Sequence, residues 1–352
     1  MRKIHAVRVL TAAVLIALAG SAAARGLEAR IDPVTDKSAM GTGQVRYSIT
    51  NTGDTSVLVL RWQTALNGVD DDLFRVTRDG SRSMYVGRHY KRGLPQPTDY
   101  IEIAAGETKS AVVDLTTYYD MRTAGQYSVA VDTDLQFAFE EDFNDHAKLV
   151  PAQEKLASGS TFVWVDGAHV TPEPEDLSFL AGAKAISFSG CSNSRQTSTT
   201  SGWNSAKTYA TNAKNYLNAG THGARYTTWF GTYTSSRFNT VKNHFTAISD
   251  AVNNKPLVFD CSCTDSAYAY VYPTQPYRIY LCNAFWSAPT TGTDSKAGTI
   301  IHETSHFNAV AGTDDWAYGQ TAAKNLARSN PTRAVDNADS HEYFAENTPS
   351  QN

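Results

Sequence analysis

The sequence predicts an α+β chain in two parts: an N-terminal antiparallel β-sandwich over residues 25–170, then a mostly helical domain with a small sheet over residues 187–352. Three observations carry this expectation. The first part alternates apolar and polar residues in short runs separated by Gly, Asp and Asn turns. Thr171-Pro172-Glu173-Pro174-Glu175-Asp176 is acidic, proline-bearing and extended, the composition of a linker. Beyond it the chain turns rich in Ser, Thr, Asn, Tyr and Trp, and its apolar residues recur at helical spacing.

Residues 1–24 read as a secretory signal. Arg2, Lys3 and Arg8 form a basic end, Val9 to Ala19 an apolar core, and Ala22-Ala23-Ala24 a small-residue cleavage site. The apolar run is shorter than the ~20 residues of a membrane span, and no later segment qualifies, so the chain is expected to be exported and free of the membrane. The remaining length, about 330 residues, exceeds what one core usually serves and sets two domains as the expectation. A formal net charge of −4 and the lack of a basic or aromatic-basic run argue against a nucleic-acid partner.

In the first part, Gln44 to Ile49 and Ser56 to Trp62 flank the turn Asn51-Thr52-Gly53-Asp54. Further strands are expected at Met84 to Val86, Tyr100 to Ile103, Thr108 to Leu115, Gln126 to Val131 and Gly159 to Val165. No constellation of chemistry-bearing residues stands out there. His146 and His169 read as surface residues.

After the linker and maturation region, 171–186, Ser201 to Asn218 carries Trp203, Ala206, Tyr209, Ala210, Ala213 and Leu217 on one helical face, with Ser201 as cap. Ser235 to Val252 repeats the pattern with Phe238, Val241, Phe245, Ile248 and Val252. Pro256 to Phe259 and Arg278 to Leu281 read as short strands of a small sheet, to which a substrate can add as an extra strand. All four cysteines, Cys191, Cys261, Cys263 and Cys282, follow the linker, and an even count in an exported chain points to disulfides. A bond within Cys261-Ser262-Cys263 would be strained, and the spacing is not that of a Cys-rich metal site.

The functional signal lies at His302-Glu303-Thr304-Ser305-His306. On a helix, the two imidazoles stand one turn apart on one face and can reach one Zn2+ at about 2.0–2.1 Å, while Glu303 is placed to take a proton from water. Asp294 or Ser295 caps the run, Ala297, Ile300, Ile301 and Phe307 are its apolar face, and Gly312 ends it. Two zinc ligands make a weak site, and Asp315 lies just past the Gly312-Thr313 turn, within reach of the metal.

These residues, with Gly312-Thr313-x-Asp315-x-x-Tyr318-Gly319, resemble the deuterolysin family of zinc endopeptidases, the aspzincins, over about half the chain, roughly Ser187 to Asn352. The resemblance implies a zincin-type catalytic domain holding one Zn2+ through His302, His306 and Asp315, with Glu303 as general base and Tyr318 stabilising the oxyanion. It also implies the disulfides Cys191–Cys261 and Cys263–Cys282. The ending Asp339-Ser340-His341-Glu342-Tyr343-Phe344-Ala345-Glu346-Asn347 resembles the peptidyl-Lys metalloendopeptidase subgroup. Asp339 and Glu342 share a helix face at this spacing, and the resemblance implies that they receive a Lys on the carboxyl-terminal side of the cut bond. A rival arrangement takes Glu342 or Glu346 as third zinc ligand; His341 and Glu346 are otherwise expected to be structural or surface residues.

The expected protein is thus a secreted, monomeric zinc endopeptidase of protein and peptide substrates that favours Lys on the carboxyl-terminal side of the cut. The alternatives are a zinc endopeptidase of broad or different specificity, or an exported binding or adhesion protein carrying a structural zinc domain. Residues 25 to roughly 183 are expected to be a removable propeptide that inhibits the enzyme, with Ala183–Lys184 as a bond the enzyme can cut itself.

Overall fold

The computed structural model describes residues 26–36, 39–139, 152–167 and 186–352. The signal segment, the linker, His146, His169 and Lys184 lie outside the described residues.

The first part contributes β1 (Leu27–Pro33), β2 (Gln44–Asn51), β3 (Val57–Leu60), β4 (Phe74–Arg78), β5 (Ser81–Arg82) and β6 (His89–Lys91). They are followed by β7 (Tyr100–Ile103), β8 (Thr108–Asp114), β9 (Gly125–Phe139), β10 (Ala152–Ala157) and β11 (Thr161–Val165). β1-β2-β8 form one antiparallel sheet. The other is built along β9, whose length lets it pair β4 and β11 near its start and β3 and β10 further on. Alternation buries Val45, Tyr47 and Ile49 from one sheet against Phe74, Val76, Val129 and Val131 from the other, in a single core. This is the expected sandwich. The run from Met84 to Val86 departs from the expectation and makes only an isolated bridge, Tyr85 to Tyr119. There the Tyr85 ring packs edge-on against Tyr119 at 5.4 Å, so a buried aromatic contact supplies the apolar signal without a ladder.

The second part runs β12 (Ser187–Ser189), α1 (Asn193–Asn218), α2 (Ala224–Phe230), α3 (Ser235–Asn254), β13 (Val258–Asp260), β14 (Ala269–Val271) and β15 (Arg278–Leu281). Next come α4 (Asn283–Ser287), α5 (Lys296–His306), α6 (Gly319–Ser329), α7 (Pro331–Ala334) and α8 (Ala338–Glu346). α1 begins before the expected Ser201: Ser192 is its cap and accepts from the Arg195 N–H. Its first turns carry Thr and Ser whose hydroxyls donate back to carbonyls four residues earlier, as Thr197 does to Asn193 and Thr200 to Gln196. Such turns have no apolar period to read. Both disulfides, Cys191–Cys261 and Cys263–Cys282, form as the resemblance implied, tying the ends of β12 and β15 to the loop after β13.

The small sheet has the order β12-β13-β15-β14-β6. β12, β13 and β15 are parallel, β14 is antiparallel to β15, and β6 pairs antiparallel with β14. A strand of the first part therefore completes the sheet of the second. α5 packs against β6 and β14 on one side and against α1, α3 and α8 on the other. It is buried along its whole length, Lys296 to His306.

The two disulfides close loops of different size, with sequence separations of 70 and 19. Loop-closure entropy makes the first worth about 4 kcal/mol and the second about 3 kcal/mol. Replacing Cys191 and Cys261 by Ser should accordingly lower the thermal midpoint more than replacing Cys263 and Cys282, as calorimetry of the two double variants can measure.

Candidate active site

Helix α5 is capped by Ser295, whose hydroxyl accepts from the Gly298 N–H, and ends at His306 because Phe307 leaves the helical conformation. The helix thus stops short of the expected Gly312. The Phe307 carbonyl instead accepts from Val310, Ala311 and Gly312, and Thr313 N–H returns to the Ser305 carbonyl. This turn carries Asp315 back onto the helix.

His302 Nε2 and His306 Nε2 stand 3.1 Å apart. Asp315 faces both, with Oδ1 at 3.3 Å from His302 Nε2 and Oδ2 at 3.4 Å from His306 Nε2. The Thr313 carbonyl is 2.7 Å from His306 Nδ1, so that nitrogen donates and Nε2 keeps its lone pair. All three side chains are buried, and Asp315 Oδ1 has no hydrogen-bond partner among the described residues. Burial works to raise the Asp315 carboxyl, but His306 and His302 in their protonated forms hold it well below the usual range. Against their own burial, Asp315 in turn raises both imidazoles, whose protons a bound metal would displace. Two imidazole lone pairs and an unsatisfied buried carboxylate aimed at one point fit a divalent metal, and the donor set suits Zn2+. Glu342 does not share this point: its Oε2 lies 3.3 Å from His302 Nδ1, the far side of the ring.

Glu303 is also wholly buried. Its carboxyl is pushed up to about 7 by burial, against the lowering pull of His302 and His306, which is the range a general base at neutral pH needs. Oε2 has no hydrogen-bond partner among the described residues, while Oε1 accepts the backbone N–H of Lys91 at 3.0 Å. Tyr318 precedes α6 and is buried; burial and then Asp315 raise its hydroxyl well above the ordinary range, so it stays a proton donor.

Asp339 and Glu342 point inward from α8, which like α5 is buried from end to end. Between them sits Lys91, its Nζ 3.0 Å from Asp339 Oδ1, 2.9 Å from Glu342 Oε2 and 3.1 Å from Asp294 Oδ1. Asp339 Oδ1 is also 2.9 Å from His302 Nδ1, so it both receives the cation and orients a candidate ligand. The tight approach of α8 to α5 relies on Gly298, where a Cβ would fall 2.9 Å from Glu342 Oε1 and closer still to Glu346 Oε1. Glu346 accepts from the Ser295 N–H and hydroxyl at 2.9 and 2.7 Å, and His341 Nε2 meets His244 Nδ1 at 3.0 Å. Both residues are structural and neither is at the surface.

The sequence reading missed His89, Lys91 and the ion pair that Asp294 makes with Lys91. Residues 88–92, Arg-His-Tyr-Lys-Arg, show no apolar alternation, and only the tertiary pairing of β6 with β14 brings them to the site.

A model of the aspzincin family, described as lysine-specific metallo-endopeptidase, matches residues 215–346. An extracellular protease of Aeromonas hydrophila is 43% identical over 95% of this chain and 96% of its own length. A peptidyl-Lys metalloendopeptidase of Grifola frondosa is 35% identical over 97% of this chain and 99% of its own. One of Pleurotus ostreatus is 56% identical over 46% of this chain and 97% of its own. The chain belongs to the aspzincin family. It is accordingly a metalloendopeptidase acting on protein or peptide substrates, and the binding-protein alternative falls. The long matches take in the β-rich part of this aspzincin as well as the helical part.

Around α5, Glu346 is pushed up to about 9 by burial and then by Glu342, with the Ser295 donors opposing. Its folded pKa lies above the ordinary 4.5, so the fold binds the extra proton and loses stability as pH climbs from about 5 towards 9; below pH 4.5 both states are protonated. Glu346→Gln keeps the acceptor for Ser295 and removes this decline. In a Glu303→Gln background, its melting temperature relative to the parent should rise steadily from pH 5 to pH 9.

Proposed function

We propose that this aspzincin is a secreted zinc endopeptidase that cuts on the amino side of Lys and is made as a proenzyme. In this reading residues 1–24 are the signal peptide, 25–170 the prodomain, 171–186 the maturation region and 187–352 the peptidase. The observation that carries the specificity is Lys91, whose ammonium ends between Asp339 and Glu342 while its own N–H sits on Glu303. A lysine so placed is where the residue after a cut bond would lie, with its nitrogen beside the base.

His302, His306 and Asp315 are the residues that would hold zinc. Zinc held there would supply Lewis-acid chemistry, bringing the pKa of water towards about 7 and polarising a carbonyl. Glu303 takes the proton of the attacking water and delivers it to the leaving amine, the nitrogen of the incoming Lys. The Tyr318 hydroxyl donates to the carbonyl oxygen as charge develops, a contribution that in other enzymes is about 2.7–4 kcal/mol. Asp339 fixes the His302 ring as well as the substrate ammonium. Glu342 and Asp294 complete the neutralisation of that ammonium, and the Tyr343 hydroxyl, donating to Asp294 at 2.7 Å, holds the carboxylate in place.

Secretion is supported by the leader-like first 24 residues, and no helix among the described residues is long and apolar enough to cross a membrane. The Pleurotus relative aligns nearly whole with 46% of this chain, which supports a peptidase that works without the β-rich part. Self-cutting at Ala183–Lys184 follows from the same Lys preference. We take the enzyme to act as a monomer.

Activity and metal content separate the roles. Glu303→Gln should keep zinc and lose nearly all turnover, whereas Asp315→Ala should lose zinc. Glu342→Gln should keep zinc yet lower kcat/KM for Xaa-Lys peptides about 30-fold or more, the effect of removing one partner of a buried charge pair. Asp339→Asn should do the same and weaken zinc about 10–100-fold, because it also releases His302. Metal analysis beside peptide kinetics checks each; zinc retained in Asp315→Ala and lost in Glu342→Gln would move the third ligand to Glu342.

A further inference from the structure

Strand β6 does more than seat a lysine. It runs antiparallel to β14 with His89 opposite Val271, Tyr90 opposite Tyr270 and Lys91 opposite Ala269, the extended addition that a peptide substrate would make to this edge. With Lys91 in the acidic pocket and its N–H on Glu303, the Tyr90–Lys91 bond lies where a bond would be cut. Two residues before Lys91 stands His89. Its ring is stacked on His306, centroids 4.7 Å apart and planes inclined by 30°, and its Nδ1 is 3.6 Å from Asp314 Oδ1 and 4.0 Å from Asp315 Oδ2. His89, His306 and Asp315 each bring a ligand atom to within 4.8 Å of the others. The imidazole is buried and is closed in from behind by Tyr85, whose ring meets it edge-on at 5.4 Å.

We propose that His89–Lys91 is the inhibitory element of the proenzyme: Lys91 fills the Lys pocket, and His89 supplies a further protein ligand to the zinc, taking the coordination position that water needs. The inference rests on the zinc-peptidase reading above. His89 replaces water by donating a nitrogen lone pair, so no covalent bond forms or breaks, and withdrawal of β6 frees the position. His89 can therefore be lost while His302, His306 and Asp315, the residues that would hold the metal in the mature enzyme, all remain.

The test uses the full chain with Glu303→Gln, which cannot process itself, loaded with Co2+ and titrated with acetohydroxamate while the visible d–d bands are recorded. With His89 present the bands should resist the hydroxamate. In the added variant His89→Ala the unliganded bands should shift, and hydroxamate should bind at least tenfold more tightly at unchanged cobalt stoichiometry. His89→Asn, with a thermal midpoint for each protein, guards against a variant that merely misfolds. Lys91→Ala should raise hydroxamate affinity several-fold by loosening the strand. Free hydroxamate access in the parent, with bands unmoved by either His89 variant, would overturn the ligand role and leave the peptidase reading intact. Unchanged affinity in Lys91→Ala would overturn the anchoring role of the lysine. A parent chain that binds no cobalt would overturn the zinc reading and this proposal together.

Discussion

Buried carboxylates crowd around α5, and each needs its charge neutralised in a place that water does not reach. The side chains of Glu303, Asp315, Asp339, Glu342 and Glu346 are all buried, contributed by α5 itself, by the turn after it and by α8. An uncompensated charge in such surroundings is too costly to keep, so every one must find a cation, a proton or a metal. Glu346 is neutralised by a proton and by the Ser295 donors. Asp339 and Glu342 share the Lys91 ammonium and the Nδ1 face of His302. Asp315 faces two imidazole nitrogens and keeps an oxygen unsatisfied, the demand that a divalent metal meets.

That constraint links the two parts of the chain. The small sheet leaves β14 with an unpaired edge unless β6 joins it, and the acidic pocket lacks its cation unless Lys91 enters it. One three-residue strand meets both needs, and the same two vacancies suit an extended peptide bearing lysine. Substrate recognition and inhibition then draw on one set of groups: the edge of β14, the carboxylates of α8 and the base on α5.

The centre of the site was legible in the sequence because its spacing is local. Four residues on a helix put His302 and His306 on one face, and a short turn brings Asp315 to both. Three residues on a second helix align Asp339 with Glu342. The sandwich was legible from its alternation, though β1, β4, β5 and β10 were not singled out, and the start of α1 was hidden by hydroxyl side chains that bond along the helix. His89 and Lys91 were illegible for a different reason. They reach the site from more than 200 residues away, in a strand too short and too polar to carry a period, as the Lys91-to-Glu303 hydrogen bond across 212 positions illustrates. The double use of Asp339, on both a lysine and a histidine, is likewise a product of packing α8 against α5 through Gly298, which pair spacing alone does not encode.

The most direct test of this account is anomalous diffraction at the zinc edge from crystals of the full-length Glu303→Gln protein. One zinc per chain is expected, at about 2.0–2.2 Å from His302 Nε2, His306 Nε2 and Asp315, with Lys91 still between Asp339 and Glu342. A peak on the other face of His302, bonded to Nδ1 and Glu342, would contradict it, as would a fully folded protein without zinc.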